Sequence, residues 1–150
     1  MSFAGNLLWF IFGGFLLGTV WVLAGLLWCV TIIGIPFGIA CFRIASFAYF
    51  PFGKELIPAE LIGEKAVFGS GLFNVLWCLL SGLWLAIFHA ITGLLQFVSI
   101  IGIPFGLAHF KLAGASFAPL GKRIVSSTVA KAAREAHAKA IVEAAQQARQ

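Results

Sequence analysis

Two copies of one unit make up most of this chain. Residues 6–57 align with residues 74–125 at a constant offset of 68 positions without a gap, and 22 of the 52 aligned positions are identical. The longest identical run is Ile-Ile-Gly-Ile-Pro-Phe-Gly, found at 32–38 and again at 100–106. So much identity at one fixed spacing indicates a duplicated supersecondary unit. Any fold of this sequence therefore has to contain the same element twice.

Both copies are almost free of charge. Arg43 is the only charged residue between Phe3 and Gly53, and Lys111 is the only one between Gly69 and Gly121. Apolar runs of about 18 residues or more are candidates for membrane helices, because a helix satisfies its own backbone hydrogen bonds in hydrocarbon. Neither run alternates as strands do. With 61% hydrophobic residues, the sequence predicts an all-α integral membrane protein.

The Gly-Ile-Pro-Phe-Gly element divides each copy into two apolar segments. Proline ends one helix and is welcome at the start of the next, while glycine permits backbone angles that other residues avoid. Two interpretations remain open: a simple helical hairpin turn, or a broken helix whose exposed amide end lines a cavity. The residues predicted to form the break are Gly34, Pro36, Gly38, Gly102, Pro104 and Gly106.

The distribution of charge predicts the topology. Residues 54–65 carry two Lys and three Glu, whereas residues 122–150 carry six Lys or Arg and two Glu, which places the C-terminus in the cytoplasm by the positive-inside rule. Lys54 and Lys122 occupy the same repeat position, so one hairpin per copy puts both on the cytoplasmic side and gives four membrane segments. The second segment, 36–52, has only 17 residues. One span plus a re-entrant or interfacial helix per copy is therefore the alternative.

Four regions follow from these patterns. They are a first repeat at 3–57, a polar linker at 58–70, a second repeat at 71–125 and a cytoplasmic C-terminal helix at 126–150. The last region begins with Ser126, Ser127 and Thr128, which can cap a helix, and continues with Lys and Glu at i, i+4 spacing. The first residues lack a basic segment and a small-residue cleavage site, so no removable signal peptide is predicted.

Several motifs resemble one known family. The Asn-x-x-Trp opening of each copy, the Gly-Ile-Pro-Phe-Gly turn, the Pro-x-Gly-Lys end and the Ala- and Arg-containing tail are similar to the YccF family, small bacterial inner-membrane proteins built from two copies of one domain. The resemblance covers about 6–134. It implies a multi-pass protein of the inner membrane, and it supplies no activity and no catalytic residues.

Arg43 and Lys111 are the exceptional residues within the apolar runs, each seven positions beyond the turn proline. A cation is costly in hydrocarbon and is usually directed toward protein or water. The pair is a candidate contact for an anion or a lipid head group. The alternative is snorkelling, in which a long side chain lifts its charge to the interface.

Small residues on the first helix of each copy predict close helix packing. Gly14 and Gly18 lie four residues apart, as do Gly82 and Ala86 in the second copy, and such a face admits a neighbouring helix within the protein or between protomers. The five tryptophans are expected near span ends or on lipid-facing sides, where they anchor helices at the interface.

Missing residue types narrow the possible functions. The chain has no Asp, and its five Glu lie in the linker and tail, which argues against carboxylate-based ion coupling. His89 and His109 could shuttle protons or simply bond within the bundle. The cysteines at 29, 41 and 78 have neither metal-like spacing nor a pairing pattern. No enzyme, metal, cofactor or nucleic-acid partner is predicted.

Two classes of function remain. The first is an oligomeric channel or permeation pathway with anion preference, which requires a homo-oligomer because four short helices enclose little volume. The alternative is a non-catalytic partner or assembly subunit of a larger membrane transporter.

Overall fold

Two long, kinked helices carry most of the apolar sequence. The computed structural model describes residues 2–65 and 69–148, so 66–68 of the predicted linker and 149–150 of the predicted tail lie outside the described residues. The apolar stretches Phe3–Cys29 and Ser70–Gln96 each have 27 residues and are long and apolar enough to cross a membrane. The first long helix comprises α1 (Ser2–Trp9), a π-helical turn (Phe10–Gly14) and α2 (Phe15–Cys29), and the second comprises α4 (Ser70–Trp77), a π-helical turn (Cys78–Gly82) and α5 (Leu83–Gln96).

Each long helix is followed by a shorter helix that packs back along it. These are α3 (Ile35–Tyr49) and α6 (Ile103–Phe117), and each has its proline in the first turn. Proline suits this position because the first amides of a helix have no partner within the helix. Contacts of α2 with α3 and of α5 with α6 dominate the tertiary structure. Each repeat is therefore a helical hairpin with a long arm and a short arm.

The first glycine of each turn is required because there is no room for a side chain. Gly34 and Gly102 both have ordinary right-handed helical angles, with φ of −78° and −74°. A Cβ atom at Gly34 would collide with the carbonyl oxygen of Trp28, and one at Gly102 would collide with that of Gln96. The expectation that these glycines supply backbone angles closed to other residues therefore does not hold. They are small because the turn folds directly onto the end of the preceding helix.

A second pair of turn glycines brings the two arms of each hairpin together. A Cβ atom at Gly38 would lie 2.8 Å from the carbonyl oxygen of Gly25, and one at Gly106 would lie 2.8 Å from that of Gly93. Such distances are shorter than real Cβ contacts. Glycines thus face each other where the arms cross, at equivalent positions in both repeats.

Asparagine closes the open end of each hairpin. The Asn6 side chain donates to the carbonyl oxygen of Phe52 at 3.0 Å and accepts from the amide of the same residue at 2.9 Å. Asn74 makes the same two bonds with Leu120, at 3.1 and 3.0 Å. These backbone groups follow a helix end, where regular partners are missing. The repeated Asn is therefore a structural clamp between residues 46 positions apart.

Tryptophan adds a buried bond to each clamp. The indole of Trp9 donates to the carbonyl of Ala48 at 2.7 Å, and that of Trp77 donates to Ser116 at 2.6 Å. Both indoles are buried and lie directly under the π-helical turns, where a Cβ atom at Gly14 would collide with the Trp9 ring. The expectation of interfacial or lipid-facing tryptophans is wrong for these two, because their N–H groups serve orphan helix carbonyls. It is also wrong for Trp21, which is fully buried in the middle of α2.

A two-stranded antiparallel ribbon joins the two repeats. Strand β1 (Lys54–Pro58) pairs with β2 (Lys122–Ser126), with Lys54 opposite Ser126 and Pro58 opposite Lys122. The ribbon is extended at its ends, where Ala59 donates to the carbonyl of Gly121 at 2.9 Å and Ser127 donates to that of Gly53 at 3.0 Å. The all-α prediction is therefore corrected: each strand is too short to show alternation, and its partner lies in the other repeat.

The duplicated sequence folds with an approximate two-fold symmetry. The offset of 68 positions carries Leu56 onto Ile124, and these two residues are paired at the centre of the ribbon. A pseudo-two-fold axis thus passes through this pair.

The two hairpins point in opposite directions about this axis. The ring of Trp28, at the turn end of the first hairpin, lies 5.9 Å from that of Trp77, at the open end of the second. Reciprocally, Trp9 at the open end of the first hairpin lies 5.8 Å from Phe105 at the turn of the second. The long helices therefore run antiparallel to each other.

Three layers result. The ribbon lies against the short helices, with β1 contacting α6 and β2 contacting α3. The short helices are well buried, whereas α2 and α5 each bury only three residues. Helix α7 (Ser127–Gln147), capped by the Ser126 hydroxyl, contacts the ribbon at its start and buries only Ala130. The largest fully buried side chains in the described core include Trp21, Trp77, Phe37, Phe47, Ile44, Ile57 and Leu112.

Candidate functional site

Lys111 opens onto a basic cleft between the ribbon and the short helices. Its amino group is exposed and donates to the backbone carbonyl of Lys54 at 3.5 Å. Lys122 also lines this cleft, and Glu55 supplies one carboxylate. The cleft has a volume of about 290 Å³ and is lined by Phe47, Glu55, Leu56, Phe110, Lys111, Gly114, Ala115 and Lys122.

Burial changes the acid–base properties of one cation in this cleft. Lys122 is half-buried beside the apolar side chains of the short helices. Desolvation lowers the pKa of Lys122 below its usual range, because a low-polarity environment disfavours the charged form. An anion placed in the cleft would offset that cost.

Arg43 takes the corresponding position in the first repeat. It is half-buried and lies within the electrostatic influence of Arg123 and Glu64. Arg123 and Glu64 form a two-pronged ion pair, with contacts of 2.6 and 3.1 Å. A cation at either repeat position is therefore directed to the ribbon side of the short helices.

The ribbon face gathers most of the positive charge that the folded core carries. Two of these cations have carboxylate partners: Arg123 pairs with Glu64, and Arg134 of α7 pairs with Glu55 at 2.8 Å. The cations on this face are Arg43, Lys54, Lys111, Lys122, Arg123 and Arg134.

The predicted packing glycines contact side chains of their own repeat. Gly18 lies against the ring of Tyr49, and Gly82 lies against the Trp77 ring and the Ser116 carbonyl. Gly14 lies against Trp9, and Ala86 is buried.

A buried histidine pair distinguishes the second repeat from the first. Nδ1 of His89 on α5 and Nδ1 of His109 on α6 are 3.1 Å apart, and both rings are almost fully buried. If both rings are neutral, a hydrogen bond at this distance requires one Nδ1 to donate and the other to accept, which makes the rings opposite tautomers. The equivalent positions in the first repeat are Trp21 and Cys41. The pair satisfies two polar groups that would otherwise be costly in an apolar core.

A small, mostly apolar cavity with a few polar groups adjoins the histidine pair. It has a volume of about 190 Å³ and lies between the first half of one long helix and the second half of the other. Thr92, Gln96 and His109 provide its polar groups, and the side-chain oxygen of Gln96 is buried without a hydrogen-bond partner. An unsatisfied acceptor at such depth marks a place where a polar guest would be stabilised.

No group of three or more potential metal ligands occurs among residues 2–65 and 69–148. The three cysteines are free thiols.

Sequence reasoning located some of these residues and missed others. The sequence singles out Arg43 and Lys111, but their shared direction toward the ribbon depends on strand pairing between repeats. It also singles out His89 and His109, as a proton shuttle or as side chains bonded within the bundle, but it does not predict that they pair with each other. Lys122 enters the sequence analysis only through the topology prediction.

The class of protein follows from this arrangement and from comparison with known proteins. A duplicated, mostly helical chain with two long apolar helices is a membrane-embedded protein. The family model described as the YccF inner membrane component domain matches twice, at residues 4–54 and 72–122. The chain belongs to the YccF family.

Curated relatives agree with this assignment. The chain is 38% identical over 139 residues to the inner membrane protein YccF of Escherichia coli (strain K12) and to the protein of the same name in Shigella flexneri. In both cases the match covers 89% of this chain and 94% of the relative. No solved structure matches. The relatives' names describe inner membrane proteins and mention no enzymatic activity.

Proposed function

We propose that this protein is a non-catalytic inner-membrane module that binds anionic phospholipid head groups and serves as a partner or assembly subunit of a larger membrane complex. The observation that supports the proposal is the cleft shared by Lys111 and Lys122. Both of these cations belong to the second repeat, while the first repeat adds the apolar side chains of Phe47 and Leu56. A head group can place its phosphate beside the amines while its acyl chains follow the apolar helices.

The projecting half of α7 supports the partner role. Residues 135–147 are exposed on every side in the monomer, and Ile141 and Val142 remain 56% and 55% exposed. A helix with so little intramolecular burial is maintained by local contacts such as its i, i+4 pairs. It is available to a partner at the membrane surface, and the ion pair between Arg134 and Glu55 fixes where it leaves the core.

Retention of lipid by the purified protein tests head-group binding. Native mass spectrometry from detergent micelles that contain both phosphatidylglycerol and phosphatidylcholine should show preferential retention of phosphatidylglycerol. Each cation near an anionic surface contributes about 1 kcal/mol, so Lys111→Gln and Lys122→Gln should each weaken retention about fivefold. The matched control is Lys139→Gln on exposed α7, for which retention should stay unchanged.

Competition with inorganic phosphate distinguishes a lipid head group from a free phosphate ion as the anion that the cleft binds. Millimolar phosphate should leave phosphatidylglycerol bound if the apolar helices hold the acyl chains. Displacement by phosphate would assign the cleft to a free anion instead. Equal retention of both lipids would refute the head-group proposal.

An oligomeric permeation pathway with anion preference is the second candidate. The cavity beside His109 and Gln96 favours it, because polar groups buried within apolar helices commonly line ion pathways. Chloride flux in proteoliposomes discriminates between the candidates, with oligomeric state measured on the same sample. If the protein is a non-catalytic module, chloride flux should not exceed that of empty liposomes. If it is a permeation pathway, chloride flux should be measurable and should fall in Arg43→Gln and Lys111→Gln.

A further inference from the structure

The opposite directions of the two hairpins constrain how the protein can sit in a membrane. Phe37, at the turn of the first hairpin, lies 5.9 Å from Phe73 at the open end of the second, measured between ring centroids. Phe52 and Phe105 make the reciprocal contact at 6.2 Å. Each hairpin turn is therefore level with the open end of its neighbour. If one turn faced one side of a bilayer, the other turn would face the opposite side.

The ribbon is incompatible with that upright arrangement. It extends from Gly53, at the open end of the first hairpin, to Gly121, at the open end of the second. With the long helices along the membrane normal, the ribbon would run through the hydrocarbon beside them. It would carry with it the ion pair of Arg123 and Glu64 and the cations of the basic cleft. Such charges are strongly disfavoured in hydrocarbon.

The exposed apolar side chains lie where a horizontal arrangement requires them. Three positions on the first long helix share one helical face, and their repeat equivalents on the second are similarly exposed. The pairs are Leu16 and Trp84 (67% and 67% exposed), Leu23 and Ile91 (55% and 54%), and Leu27 and Leu95 (73% and 67%). These helices form the layer furthest from the ribbon, so the protein has one charged face and one apolar face.

The hairpin turns are equally apolar. Ile32 and Ile100 are each 87% exposed. The turn's own polar groups are bonded locally: the Thr31 hydroxyl accepts from the Gly34 amide at 3.1 Å, and the Ser99 hydroxyl accepts from the Gly102 amide at 2.9 Å. Local satisfaction of backbone groups is what hydrocarbon demands. The turns are thus suited to lipid on their sides and tips.

We infer that the protein lies within a single leaflet, with both hairpins parallel to the membrane plane, the long helices facing the bilayer midplane and the ribbon with α7 facing water. Two helix layers are about 20 Å thick, which matches one leaflet with its head-group region, about half of the roughly 40 Å of a whole bilayer. The occupant of the apolar face is the acyl chains of that leaflet. Neither turn reaches the opposite compartment.

Depth measurements along one helix test this placement. Single cysteines at Leu8, Leu23 and Ile32, and at the repeat equivalents Leu76, Ile91 and Ile100, are spin-labelled in a chain with Cys29, Cys41 and Cys78 replaced. Accessibility to oxygen and to a water-soluble nickel complex gives the depth of each label in proteoliposomes. The unfolding temperature of the cysteine-free chain serves as the folding control.

The horizontal arrangement predicts that the labels at Leu8, Leu23 and Ile32 lie at similar depths, within about 5 Å of one another. Helices that cross the hydrocarbon would put Leu8 and Ile32 near opposite interfaces and the middle label at Leu23 roughly 10 Å deeper than either. A water-soluble maleimide should label Lys139→Cys from one side only and Ile32→Cys from neither side. Labelling of Ile32→Cys from the side opposite to α7 would overturn the inference. So would low oxygen accessibility at Leu23 and Ile91, which would show that a second copy covers this face.

Discussion

The indole of Trp77 donates a 2.6 Å hydrogen bond to the backbone carbonyl of Ser116, 39 residues further along the chain. Trp9 and Ala48 form the same bond in the first repeat, across the same 39 residues. The carbonyls belong to the last turns of α6 and α3, where helical partners run out. A side chain from the beginning of each hairpin thus completes the backbone bonding at its end, which explains why the Asn-x-x-Trp motif is duplicated.

Removing the indole donor should destabilise the fold. Trp77→Phe keeps an aromatic ring in the core but leaves the Ser116 carbonyl buried without its partner, at an expected cost of about 1–3 kcal/mol. In a chain of this size the unfolding temperature should fall by roughly 2–4 °C per kcal/mol. Trp84→Phe, at a position that is 67% exposed, is the control. Thermal unfolding of the purified proteins in detergent measures both, and equal effects would remove the clamp's assigned role.

The room available for a Cβ atom predicts different losses of stability at Gly102, in the hairpin turn, and at Gly114, within α6. Gly102→Ala should lower expression and thermal stability, because the added Cβ atom collides with the Gln96 carbonyl. Gly114→Ala should be neutral or slightly stabilising, because no atom lies within 4 Å of the added Cβ, and alanine restricts the unfolded chain. Yield and unfolding temperature of the two variants give the comparison. A tolerated Gly102→Ala would mean that the turn can relax away from α5.

The limits of prediction from sequence are visible in particular residues. The hairpin turns and α7 carry local signals, namely Pro36 and Pro104 at helix starts and Ser126 as a cap. The strands do not, because five residues such as 54–58 become extended only when the other repeat supplies a partner. The opposite directions of the hairpins follow from that pairing, and no local pattern encodes it.

The clamps show a further limit. Tryptophan near the end of an apolar helix is typical of a membrane interface, and that general preference led to the wrong interpretation of Trp9 and Trp77. Their actual partners are backbone carbonyls, which have no sequence signature. Comparison of the two repeats is more informative, since it identifies Asn and Trp as common to both while His89 and His109 are not.

The histidine pair should show strong energetic coupling. His89→Leu alone leaves the His109 ring without its buried partner, and His109→Leu does the reverse, so each single variant should lose about 1–3 kcal/mol. The double variant should cost less than the sum of the two, because no unpaired polar group remains. A double-mutant cycle from chemical unfolding in detergent gives the coupling energy. Strict additivity would show that the two rings do not depend on one another.

Restoring the first repeat's residues is a second form of this test. His89→Trp with His109→Cys recreates the pair formed by Trp21 and Cys41. If the second hairpin tolerates this exchange with near-parent stability, the histidines are dispensable for folding. Any loss of ion flux or ligand binding in that variant would then show that the histidines act in function, through the adjoining cavity, and not in folding.

The lowered pKa of Lys122 predicts a specific dependence of stability on pH. Burial holds the pKa of this amine below the ordinary value of 10.5. Between the two values the unfolded chain binds more protons than the folded chain, so the free energy of unfolding rises as pH increases toward 10.5. Lys122→Met should flatten that rise, whereas Lys139→Met on exposed α7 should keep it. Unfolding temperatures from pH 8 to 10.5 in neutral detergent measure the slope. Phosphatidylglycerol should reduce the parent's slope, because a bound phosphate favours the charged amine, and an unchanged slope with this lipid would place the head group elsewhere.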